Sequence, residues 1–212
     1  MIGSKKRLFI ILLFALFHAS LFAGEQSTTE EIAFFKDKAK TMSSYELYNE
    51  IEKTKELMRL QRHSKQSSLP DLTNKDVLKS TGYLLILEER RKAGDPKAAF
   101  YFGLHEMQIC MVLNENKELA HTSNKVCSDA IDSFKIAAEA NDPRAMRAIG
   151  ISFKEGLGVT TSKYVAAEWF VRSAKQYNVE HLRDNALSAL EEALNLVPDH
   201  PSALELRKEL IR

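Results

Sequence analysis

The feature that most constrains this chain is one pattern that occurs twice. Asp95-Pro96-Lys97-Ala98-Ala99-Phe100-Tyr101-Phe102-Gly103 returns as Asp142-Pro143-Arg144-Ala145-Met146-Arg147-Ala148-Ile149-Gly150 at an offset of 47 residues. Asp-Pro is a helix opening, because the Asp side chain caps free backbone N–H groups and Pro is tolerated in the first helical turn. Further on, Ala130, Phe134 and Ala137-Ala138 match Ala166, Phe170 and Ser173-Ala174 at an offset of 36, so the first copy carries 11 extra residues. Most of that surplus lies between Cys110 and Cys127, where the sequence predicts an enlarged loop. A pair of helices repeated in this way cannot bury its faces alone and stacks on its neighbours. The expectation is an all-α chain: a short right-handed α-solenoid of helical hairpins with an N-terminal helical region.

Helical periodicity runs through most of the rest. Leu47, Ile51, Leu57, Met58 and Leu60 recur at helical spacing behind the cap Ser43-Ser44-Tyr45-Glu46. A polar stretch ending at Pro70 breaks the pattern, and a second helix from Thr73 offers Val77, Leu78, Tyr83, Leu84, Leu85 and Leu87 before Gly94. Segment 25–31 is polar and reads as a frayed lead-in. Later helices are expected near 95–113, 126–140, 142–155, 162–177, 180–196 and 200–212, with no strand-like alternation. Ala145, Ala148, Ala166, Ala167 and Ala174 let backbones approach, while Phe153, Trp169 and Phe170 fill the gaps. Gly150 permits a close helix contact, and Gly156 and Gly158 suit a turn whose angles other residues avoid.

The N-terminus reads as a leader. Lys5, Lys6 and Arg7 precede the uncharged run Leu8 to Phe17, and small residues follow at Ala19, Ala23 and Gly24. This is the layout of a secretory signal peptide, residues 1–23, cleaved after Ala23. Leu21 in place of a small residue leaves an uncleaved anchor as the alternative, although a spanning helix needs roughly 18 or more apolar residues. The expected organisation is therefore 1–23 leader, 24–93 N-terminal helical region and 94–212 repeat domain, in a periplasmic or secreted protein with no stable membrane span after cleavage. Without the leader, 27 Lys and Arg face 29 Asp and Glu, a balance that suggests neither nucleic acid nor an anionic membrane as partner.

The chain has two cysteines, Cys110 and Cys127. Export brings them to an oxidising compartment where close thiols pair, so a Cys110–Cys127 disulfide is expected, stabilising by about 2 to 4 kcal/mol. Two buried free thiols are the alternative. A third arrangement takes His105, Cys110, His121 and Cys127 as zinc ligands, but their spacing fits no recognised finger pattern and export favours the disulfide; no metal or other cofactor is expected.

The stretch Asn141 to Val159, followed by Ala166-Ala167-Glu168-Trp169-Phe170 and Ser173-Ala174, resembles a Sel-one-like repeat, a branch of the tetratricopeptide superfamily. Ile149, Arg147 and Val165 depart from the family pattern. The copy from Gly94 is degenerate: Glu106 stands where an aromatic is usual, Ser133 replaces the Trp, and the Gly-x-Gly turn is absent. Leu196-Val197-Pro198-Asp199-His200-Pro201 is similar to the end of a tetratricopeptide unit before a capping helix. The resemblance covers about residues 94–206. It implies a binding wall built from the first helix of each pair, bearing Lys97, Phe100 and Leu104 in one copy and Arg144, Arg147, Ile151 and Lys154 in the other. Related domains hold peptide carboxylates with such bases, and an ordinary solvated helix face is the plain alternative.

For catalysis the chain offers no nucleophile elbow, no HExxH, no phosphate-cradling loop and no CxxC. Glu88-Glu89 and Glu191-Glu192 diverge around a helix. The expected role is an exported adaptor or scaffold, not an enzyme, holding a protein or peptide of the cell envelope. The competing reading, taken from cysteine-rich members of the same repeat family, is a cell-wall or small-ligand enzyme using the 104–128 insertion.

Overall fold

The computed structural model describes residues 26–63, 74–115 and 119–212. The expected leader and most of the polar stretch ending at Pro70 lie outside the described residues. Within them the protein is all-α, with nine helices and no strand: α1 Gln26–Ala39, α2 Ser44–His63, α3 Asn74–Lys92, α4 Pro96–Asn114, α5 Ala120–Glu139, α6 Pro143–Glu155, α7 Lys163–Val179, α8 Arg183–Leu196 and α9 Pro201–Ile211. The chain divides into two compact units between Ala93 and Gly94.

In the first unit α1 and α2 both pack on α3. Its core is Phe35 and Ala39 of α1, Leu47 and Ile51 of α2, and Tyr83, Leu84, Ile86 and Leu87 of α3. A Cβ at Gly82 would lie 2.9 Å from the Phe35 Cβ, so the missing side chain is what lets α1 lie against α3. That contact orders a segment whose first half reads as frayed in sequence; the partner of α1 lies some fifty residues away. Ser43 and Glu46 form a reciprocal capping box, Ser43 N–H to Glu46 Oε2 at 2.7 Å and Glu46 N–H to Ser43 Oγ at 3.2 Å. Arg90 donates to the Lys40 carbonyl at 3.0 Å, just beyond the C-terminal end of α1, where the helix dipole favours a cation.

The second unit is built of helices that each pack on the next, α4 on α5, α5 on α6, α6 on α7, α7 on α8 and α8 on α9. Asp95 and Asp142 cap α4 and α6 by accepting from backbone N–H groups two or three residues on, with Pro96 and Pro143 in the first turn. The turns ahead of α6 and α8 are alike. Asn141 and His181 adopt left-handed angles, φ 64° and 60°, and the next N–H bonds back five residues, Asp142 to the Ala137 carbonyl and Leu182 to the Tyr177 carbonyl. The same glycine contact also occurs twice. A Cβ at Gly103 would meet the Phe134 ring at 2.8 Å, and one at Gly150 the Phe170 ring at 2.9 Å.

The surplus of the first hairpin is not a loop. Helix α4 has 19 residues against 13 in α6, and α5 has 20 against 17 in α7. The extra residues continue both helices beyond the point where the second hairpin turns, because Ile109, Cys110 and Leu113 remain buried and keep the helical spacing going.

Candidate functional site

Three places concentrate chemistry in the second unit. The first is the extended tip of the α4–α5 hairpin. Cys110 and Cys127 form a disulfide, S–S 2.00 Å and Cα–Cα 5.0 Å, with both residues buried. Ser123 donates its hydroxyl to the Cys110 carbonyl at 3.2 Å. The bridge takes both sulfurs, so neither serves as a thiolate; His105 is buried and His121 exposed, and among the described residues no three potential metal ligands cluster. On the neighbouring hairpin, Gly156 and Gly158 take φ 74° and 71°. A Cβ at Gly158 would sit 2.6 Å from the Cys127 carbonyl carbon and the Ser128 nitrogen, so the α6–α7 turn rests directly on the backbone of α5 beside the disulfide.

The second place is a polar pair inside the same hairpin. Ser133, fully buried, donates to Glu106 Oε2 at 2.8 Å. These are the two positions at which the first copy departs from the aromatics of the second, Phe153 and Trp169. The departures are thus matched: where two rings were expected, a carboxylate and a hydroxyl meet, and a buried polar group that keeps its hydrogen bond avoids most of the cost of burial.

The third is the expected binding wall. Its residues are not equivalent. Phe100 is 5% exposed, and its ring lies beneath the Arg144 guanidinium at 4.2 Å. Arg144 reaches Asp142 Oδ1 from Nε at 3.0 Å and Asp142 Oδ2 from Nη2 at 2.7 Å, and donates from Nη1 to the Tyr101 hydroxyl at 3.3 Å. The hydrogen bonds from Arg144 to Asp142 and Tyr101 hold the guanidinium's pKa above its ordinary value. Arg147 pairs with Glu192 of α8. Both arginines therefore join α6 to a neighbouring first helix, α4 through Tyr101 and α8 through Glu192. Lys154 pairs with its neighbour Glu155 at 3.1 Å, Ile151 packs on the core made by α7, α8 and α9, and Leu104 is half-buried. Lys97 is exposed and makes no ion pair among the described residues.

Lys97 and Arg144 share a groove of about 390 Å³ across the N-terminal ends of α4 and α6 and the α7–α8 turn, where Tyr177, Glu180 and Leu182 form the far side. In the sequence Tyr177 and Glu180 carry no distinguishing pattern, and Glu192 stands out only as one of two adjacent carboxylates that diverge around a helix. Tyr177 is 7% exposed, its hydroxyl makes no hydrogen bond among the described residues, and burial raises its pKa. No protein-family model and no curated protein sequence matches the chain.

Proposed function

We propose that this protein is an exported adaptor of the Sel-one-like/tetratricopeptide type, which holds a protein or peptide partner of the cell envelope on its second unit. The observation that carries this reading is the groove at the openings of α4 and α6, in which Lys97 and Arg144, two of the bases expected on a binding wall, line one depression with Tyr177. Three further features support it. The Asp-Pro openings and the glycine–phenylalanine contacts recur in both hairpins, as stacked repeats require. The disulfide fits an oxidising compartment. No helix among the described residues is long and apolar enough to cross a membrane. Because Arg144 and Arg147 are engaged within the fold, Lys97 is the base to perturb.

The test is proximity crosslinking in the exporting cell, wild type against Lys97→Glu at equal folded abundance. Partners lost only in the variant support an adaptor that uses this groove. An empty partner set in wild type sinks the adaptor reading.

A further inference from the structure

We draw no further inference here: the strongest candidate, the Tyr164–Glu168–His200 cluster where α7 meets the start of α9, keeps its imidazole buried against the fold's own side chains and gathers no third metal-ligating group among the described residues, so nothing in the structure shows a ligand for it.

Discussion

Three glycines with the same left-handed backbone but different surroundings isolate what the contact between hairpins contributes. Gly94, Gly156 and Gly158 have φ of 86°, 74° and 71°. Replacement by Ala imposes a left-handed cost of roughly 1 to 2 kcal/mol at each. At Gly94 nothing lies within 4 Å of the new methyl, so strain is the whole effect. At Gly156 the nearest atom is the Thr161 Cγ2 at 2.8 Å, the end of a side chain that can rotate away. At Gly158 the neighbours at 2.6 Å are the Cys127 carbonyl carbon and the Ser128 nitrogen, backbone atoms inside α5 that cannot rotate away. Forced overpacking of this kind costs typically about 1 to 3 kcal/mol more. Gly158→Ala should therefore lose about 2 to 5 kcal/mol in total and exceed Gly156→Ala by about 1 to 3 kcal/mol. The chain has one tryptophan, Trp169, on α7 of the same unit, so its fluorescence in urea follows this unit directly. The expected result is a graded fall in midpoint, with Gly158→Ala clearly below the other two and slopes unchanged. If Gly158→Ala and Gly156→Ala coincide, the turn does not rest on α5 and the packing argument is wrong.

Reducing the disulfide, or replacing it by Cys110→Ser/Cys127→Ser, should cost about 3 kcal/mol for two residues 17 apart, read from the same fluorescence midpoint, and hydrogen exchange should show the gain in mobility concentrated in residues 111–126. Ser133→Ala removes a hydrogen bond from the buried Glu106 and should lower the stability read from that midpoint by about 1 to 3 kcal/mol; an unmoved midpoint would mean that the pair contributes nothing. In the first unit, hydrogen bonds from Lys53 and Lys79 hold the Glu50 carboxyl below its ordinary 4.5. A lowered carboxylate stabilises the fold above the unfolded value, and that stability is lost as pH falls through the folded one. The difference in Tm between wild type and Glu50→Gln, followed by circular dichroism, should thus shrink as pH drops from about 6 to about 3.

Local rules made much of this architecture readable. The Asp-Pro openings, the Ser43 cap, the turn glycines and the close contact at Gly150 each depend on a few neighbouring residues, and the structure has each of them. The pairing of Cys110 with Cys127 followed from compartment chemistry together with the count of two. What escaped was set by distant partners. Helix α1 was not expected because its order depends on Gly82, far along the chain. The surplus between the cysteines counted as loop because an offset between repeats gives a length and no conformation; the burial of Ile109 and Leu113 is what extends the helices. Arg144 and Arg147 looked like free bases on a helix face, yet Phe100, Tyr101 and Glu192, their partners, lie more than forty residues away. Nothing in the immediate sequence of Tyr177 marks it as facing a groove.

A seat made from another element's backbone also couples the two elements. The Gly158 turn has nowhere to settle until the stretch of α5 around Cys127 is helical, and that stretch belongs to the extended tip which the disulfide closes. The stability of the second hairpin is therefore tied to the helical state of the first. Damage near the tip thus reaches the second hairpin as a misplaced turn.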